Sequence, residues 1–436
     1  MSSVPTTDRV IRIAVLGAGV VGTEVIRNLV TDGANLGARV DARLEIAGVA
    51  VRDTAVPRDP VIDPAWLTAD ASTLVTQADL VVELMGGIEP ARTLILEALA
   101  AGASVVTANK ALVAAHGPEL YAAAENAGRD LYFEAAVAGA IPVVRAVRES
   151  LTGDRIERVL GIVNGTTNYI LDQMTTNGLE LSDALAQAQQ LGYAEADPTA
   201  DVEGHDAAAK AAILAALAFH SRVPLDLVAC EGITGVTKDD VKAASDSGHV
   251  IKLLAIVENT PAGIQARVHP SLVPNSHPLA GVHGAFNAVF VEAREAGELM
   301  FYGQGAGGAP TASAVLGDVV SAARHLVTGG SAPTESTYAS LEVAPVSEAM
   351  TRYQIRLVVA DRPGVLAQVA SCVAAHGVSI EAVRQQDTAA TATEQTAELI
   401  IITHRARQAD LSSTVTELAE LEVVDQVASV LRVEGN

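Results

Sequence analysis

Between residues 10 and 150, short apolar runs alternate with helical stretches, and this pattern limits the fold more than any other feature of the chain. The strand readings are RIAVLGAG (12–19), LEIAGVAV (44–51), ADLVVEL (78–84), ASVVTA (103–108) and DLYFEAAV (130–137). Strands apolar on both faces need helices on both sides, which means a parallel sheet. The expectation is therefore α/β, with a doubly wound N-terminal sheet. Only 3% of residues are aromatic, so the core must be built from Ala, Val, Leu and Ile.

The first strand runs into GAGVVG, Gly17 to Gly22, which matches G-x-G-x-x-G between a strand and a helix. Gly17 permits a tight turn, Gly19 lets backbone approach a pyrophosphate, and Gly22 lets helix and strand pack closely. Val20 and Val21 then open a helix whose N-terminus favours negative charge. A structural glycine turn is the competing reading, and the strand–turn–helix context weighs against it. The second strand ends in AVRD without an obvious acidic ribose partner. Arg52 is a candidate for a 2′-phosphate, which favours NADP over NAD; a solvated surface arginine is the alternative.

After Pro142 the texture changes. RIERVLGIVNG (155–165) reads as a strand, and TTNYILDQM, LSDALAQAQQLG and HDAAAKAAILAALAF read as helices. Four strands follow between 249 and 305, then a helix over 312–327. The division expected is a nucleotide-binding domain over 1–150 and an α+β substrate and dimerisation domain over 151–330. Helix 308–326 is placed to pack back on the first domain. A Gly-, Pro-, Ser- and Thr-rich linker covers 331–350, and a β-α-β-β-α-β segment of ferredoxin-like order covers 351–436.

The densest chemistry lies in GYAEADPTADVEGHDAAAK, Gly192 to Lys210. Asp206 and Lys210 are four apart and share one helix face. The helix continues as AAILAALAFH, so charges at its start need partners or a task. An ordinary helix ion pair is worth only about 0.3–0.5 kcal/mol and would be preferred on a polar helix. On this apolar one the site reading is preferred. Hydride transfer to an aldehyde needs a proton donor, and a lysine serves if its environment is tuned. Lys210 and Lys110, which opens the helix after the fourth strand in TANK, are the candidates. Asp206 would fix Lys210 or hold a substrate amine, and Glu195 would hold the substrate ammonium. Asp197, Asp201 and Glu203 also crowd the loop; one capping the helix, with the others solvated, is preferred to a metal site.

Net charge is −23, which makes nucleic acid a poor partner. Two cysteines, Cys230 and Cys372, make no disulfide framework and suit a reducing compartment. The first nine residues carry no apolar signal core, and no run of about 18 uncharged apolar residues exists. A cytoplasmic protein without a membrane partner is expected.

GAGVVG, ELMGG, TANKALV, FEAAVAGAIPVV, GIVNGTTNYIL, the Gly192–Lys210 stretch and YGQGAGGAPTASAV together closely resemble the homoserine dehydrogenase family over roughly 10 to 330. DRPGVLAQVASCVAAHGVSIEAVRQ resembles an ACT regulatory domain. The resemblance implies a Rossmann-like first domain and interconversion of L-aspartate 4-semialdehyde and L-homoserine with NAD(P)H. It implies Lys210 as proton donor, Lys110 as assistant at cofactor and substrate, and Glu195 and Asp206 as substrate ligands. Gly192 and Gly305 match positions near the nicotinamide. The segment from Glu134 to Ile141 matches a monovalent cation site, usually sodium, using main-chain oxygens of Val137, Gly139 and Ile141. Asn164 to Asn168 matches a conformationally important loop without an assigned chemical role. Threonine is the implied effector of the ACT segment, and a homodimer or homotetramer the implied assembly. No aspartokinase domain is expected ahead of the dehydrogenase. Two other readings stay open. One is another NAD(P)-dependent oxidoreductase, an amino-acid or a semialdehyde dehydrogenase; a semialdehyde dehydrogenase that makes an acyl product would need a nucleophilic cysteine, and neither cysteine has that context. A catalytically silent amino-acid sensor is disfavoured by the two lysines with Glu195 and Asp206.

Overall fold

The computed structural model describes residues 9–387 and 396–435. The polar residues 1–8, on which the expectation about a leader rests, lie outside them. Two compact units emerge. One comprises the chain up to Gly165 with 206–228 and 285–341; the other comprises 166–205, 229–284 and the chain from Glu342 on.

The first unit is organised by a six-stranded sheet. Its strands are β1 (Val10–Leu16), β2 (Arg43–Ala50), β3 (Leu67–Thr68), β4 (Leu80–Glu83), β5 (Ser104–Thr107) and β6 (Leu131–Tyr132). They lie in the order β3-β2-β1-β4-β5-β6, all parallel. The order reverses beside β1 and β4, the crevice where such sheets bind ligands at the carboxyl ends of their strands. Helices α1 (Val20–Thr31), α2 (Ala91–Ala100) and α3 (Lys110–Ala127) make the crossovers. The reading of 130–137 as one long strand is corrected: pairing stops at Tyr132, and Glu134–Ala136 form a 3-10 turn. The cause is Glu134, whose carboxylate folds onto the backbone of Val144 and Arg145.

The same unit holds β7 (Ile156–Ile162), to which β10 (Phe286–Ala293) and then β11 (Gly297–Gln304) add antiparallel. The apolar helix α6 (His205–Phe219) belongs to it from Asp206 onward, and so does α7 (Gly308–Thr328). Val315, Val319 and Ala322 of α7 sit in one core with Ile13, Val25 and Tyr132. Burying a valine side chain is worth about 1.5–3 kcal/mol, so α7 contributes substantially to that core.

In the second unit are α4 (Gly165–Asn177, from Thr166), α5 (Leu181–Gln190) and the hairpin β8 (His249–Thr260) with β9 (Gly263–Pro274). Its last part runs β12 (Met350–Ala360), α8 (Val365–Ala375), β13 (Ile380–Asp387), β14 (Thr396–Thr403), α9 (Gln408–Glu420) and β15 (Val424–Val433). Their sheet has the order β15-β12-β14-β13, antiparallel throughout, as the ferredoxin-like pattern requires. Strand β15 also pairs parallel with β9 through Ser271–Arg432 and Leu272–Val433. Buried Arg267 locks this seam, donating to Glu258 at 3.0 Å and Glu434 at 3.2 Å. Among the described residues no helix is long and apolar enough to cross a membrane.

Candidate active site

The glycine turn follows from sterics. Gly17 has φ +102°, and a Cβ there would lie 2.9 Å from the Leu84 carbonyl oxygen. A Cβ on Gly22 would sit 2.1 Å from the Gly17 oxygen, so only glycine lets α1 start this close to β1. Gly19 is different: a Cβ there meets nothing within 4 Å. The start of α1 carries no acidic residue and no side-chain cap, leaving backbone N–H groups near Val20 and Val21 for an anion. The residues thus fit a dinucleotide phosphate. Arg52 stands exposed two residues beyond β2. Arg58, which the sequence reading passed over, donates to the Ala18 and Asp53 carbonyls at 3.4 Å each. The only sequence signal for it was a second arginine in the loop RDTAVPR.

The carboxyl ends of β4 and β5 are tied together by Glu83. Its buried carboxylate accepts from Met85 and Gly86 backbone N–H groups and from the Thr107 hydroxyl at 2.6 Å. Asn109 caps α3 by accepting from the Leu112 N–H, and donates to the Gly87 carbonyl at 2.6 Å. These bonds fix Lys110, the first residue of α3, whose side chain stays 45% exposed.

Lys110 reaches Asp206, which lies on α6 almost a hundred residues later. One Asp206 oxygen, Oδ1, takes the Lys110 ammonium, and the other, Oδ2, accepts from Lys210 Nζ at 2.7 Å. Lys210 also donates to the Val163 carbonyl at 2.6 Å, and Asn164 Nδ2 donates to Asp206 Oδ2 at 2.9 Å. Asp206 and Lys210 are both more than nine-tenths buried. Burial pushes the Asp206 carboxyl up, but the Lys210 and Lys110 ammonium groups outweigh it and hold it well below the usual carboxylate range. One anion therefore aims two cations, one buried and one half-open, at the ends of two helices. That arrangement can hold and deliver a proton beside a polar substrate oxygen.

Models of three families match this chain. "Homoserine dehydrogenase, NAD binding domain" covers residues 17–134, "Homoserine dehydrogenase" 142–320, and "ACT domain" 353–423. A Corynebacterium glutamicum homoserine dehydrogenase is 56% identical, spanning 97% of this chain and 95% of its own length. The crystal structure of a homoserine dehydrogenase from Thiobacillus denitrificans superposes with TM-score 0.89 at 38% identity, over 98% of both chains. The chain belongs to the homoserine dehydrogenase family. A hyperthermophilic archaeal homoserine dehydrogenase solved in complex with NADPH matches at TM-score 0.63 and 26% identity, covering 75% of this chain and 99% of its own. The fold expected from the sequence, a doubly wound sheet, an α+β part and an ACT domain, is the fold found.

The remaining site candidates fall in different places. Glu134 is buried, and both of its carboxylate oxygens are committed, accepting from Val144 and Arg145 N–H groups at 2.9 Å. The loop beyond it turns sharply, with Ala138 at φ +56° and Gly139 at φ +57°. A Cβ on Gly139 would strike the Gly305 carbonyl oxygen at 2.4 Å, so this loop and the turn after β11 pack backbone to backbone. Main-chain carbonyls of Val137, Gly139 and Ile141 are hard oxygen donors, and that of Ile141 already accepts from the Val143 N–H at 2.8 Å. Gly305 is also required by packing, since a Cβ would lie 2.0 Å from the buried Asn287 carboxamide. Gly192 (φ +77°) ends α5 in the left-handed conformation that favours glycine. Glu195 follows in an exposed loop of the second unit, its carbonyl accepting from Gln189 at 3.1 Å. Asp197 accepts from the Thr199 N–H and hydroxyl, an ordinary helix-start role. Asn164, left without a role by the sequence reading, is a direct partner of Asp206.

Proposed function

We propose that the chain interconverts L-aspartate 4-semialdehyde and L-homoserine with NAD(P)H, and that the Lys110–Asp206–Lys210 cluster is its chemical centre. The single observation that carries this is one buried carboxylate gripping two lysines in the unit that also holds the glycine turn. When bound, the nicotinamide supplies or takes the hydride. Lys210, held by Asp206 and the Val163 carbonyl, gives its proton to the substrate oxygen during reduction and takes it back during oxidation. Lys110 offers the second ammonium to the same oxygen and to the cofactor side. Glu195 as ligand of the substrate ammonium rests on the family resemblance.

The finer readings are proposals too. NADP is preferred to NAD, with Arg52 and Arg58 beside the phosphate turn; Arg52→Ala that keeps its NADPH affinity would remove Arg52 from this reading. Main-chain oxygens of Val137, Gly139 and Ile141 hold a sodium ion, with Glu134 bracing the loop. Modules run 1–150, 151–330, 331–350 and 351–436, in a cytoplasmic homodimer or homotetramer. Threonine bound by the ACT segment lowers activity, and unchanged turnover in millimolar threonine would end that idea.

The deciding experiment is absorbance at the nicotinamide band with NADP and L-homoserine at alkaline pH. Reduced cofactor appearing only with homoserine is expected. Folded, nucleotide-binding protein that gives no signal with NADP or NAD would overturn the assignment.

A further inference from the structure

The first unit encloses a cavity of about 530 Å³, within the range of small-molecule sites. Its walls are Val113 and Pro118 of α3 and Ile213 and Ala216 of α6, with Phe133 and Arg148 among its lining. Val113 and Ile213 each lie three residues beyond a site lysine, Lys110 and Lys210 respectively. The cavity thus borders the same two helices one turn further along.

The remaining wall is segment 333–337, laid across the end of α6. Glu335 accepts from Arg222 Nε at 2.9 Å and Nη2 at 2.7 Å. Ser336 Oγ meets His220 Nδ1 at 2.9 Å, and the His220 ring stacks on Tyr338 at 4.7 Å. The Leu341 N–H donates to Ser221 Oγ at 2.8 Å. These polar side chains are occupied in holding the segment in place.

Arg148 is the exception. Its side chain is 7% exposed, with the guanidinium over the Tyr132 and Phe133 rings at 5.4 and 5.6 Å. Its Nε and Nη1 are buried without a hydrogen-bond partner, and its nearest carboxylate, Glu149, stands at 3.5 Å. Tyr121, Glu149 and Asp318 all act on this guanidinium, yet two of its buried nitrogens keep no partner, and such a cation beside an apolar cavity favours an anion. The lining leaves room for one charge and an apolar body. Burial pushes the neighbouring Tyr121 phenol up and outweighs the opposing pull of Arg148, to which the phenol is hydrogen-bonded.

We propose that this cavity is a second ligand site, distinct from the Lys110–Asp206–Lys210 centre, that takes a small carboxylic acid with an aromatic or branched apolar body. The Arg148 guanidinium receives the carboxylate, and α3 and α6 enclose the body.

The test is calorimetric titration of the full chain with 3-phenylpropionate and with its neutral amide, in the presence and absence of saturating NADP and homoserine. The acid is expected to bind about tenfold or more tightly than the amide, without displacement by the substrates. Ala216→Phe fills the cavity and should abolish binding while leaving both KM values within about twofold. Arg148→Met keeps the stem between the rings and should make acid and amide equal. No binding of the acid at millimolar concentration, displacement by NADP or homoserine, or undiminished binding in folded Ala216→Phe would each overturn the proposal. Because binding is read without turnover, its failure is independent of the assigned reaction.

Discussion

Two buried carboxylate clusters in the first unit have opposite electrostatics. Around Asp206, two lysines face one carboxylate. Around Asp318, Arg145 is in direct contact, Arg148 acts from further off, and Glu134 is a second buried carboxylate. Arg145 donates to Asp318 at 2.7 Å, and the other oxygen of Asp318 accepts from the Glu134 N–H at 2.8 Å. Burial pushes all three acids up. It is outweighed at Asp206 but wins at Asp318, which rises to about 6, and at Glu134, which rises to about 7 with Asp318 adding to the push. The lesson is that burial alone does not set the sign; what decides it is whether the facing cations outweigh the burial, as they do at Asp206 and do not at Asp318. The cluster with surplus cations is the one suited to a substrate oxygen that gains negative charge. The cluster in which burial wins instead anchors the loop at 134–145.

The comparison is broken most forcefully at Lys210. Lys210→Ala should lower kcat by about 10²–10⁴-fold with little change in NADP affinity, measured by steady-state rates and nucleotide titration. A variant within a few-fold of wild type would exclude Lys210 as the proton donor. Arg145→Met leaves the two acids facing each other and should cost about 1–3 kcal/mol in chemical denaturation. The loss should be larger at pH 8 than at pH 5, where Asp318 and Glu134 take up protons.

The two clusters should also respond oppositely to pH. Glu134 and Asp318 have raised values, so their contribution is fully present below the ordinary carboxylate range near 4 and lost as pH rises through about 6–7. Glu134→Gln should flatten the fall of melting temperature between pH 4.5 and 7, a window taken from those two values. Asp206 has a lowered value, so its contribution is present above its ordinary value of 3.8 and is lost as pH falls further. The smallest effect is expected at Asn164→Ala. It removes one hydrogen bond to Asp206 and should cost about 0.5–1.5 kcal/mol in the barrier, read as kcat/KM.

The sequence carried much of this, unevenly. Apolar runs around β1, β4 and β5 made the sheet legible, and the four-residue spacing placed Asp206 and Lys210 on one face. That Lys110 grips the same carboxylate depends on α3 and α6 meeting in the folded unit, which no local pattern encodes. Asn164 and Arg58 were missed for the same reason, since each acts on a group distant in the chain. The Arg145–Asp318 pair spans 173 residues. The strand reading of 130–137 failed where a side chain overrode propensity: a nearly continuous apolar run pointed to extension, and the Glu134 carboxylate drew the backbone into a turn.

Helix α7 has a consequence for protein engineering. Its valines fill the core that β1 and α1 begin, although nearly three hundred residues separate them. Residues 1–150 expressed alone would show water the apolar surface that α7 covers. A chimera that exchanges nucleotide specificity with a relative must therefore transplant 308–328 together with the first 150 residues, or rebuild a mismatched seam by directed evolution.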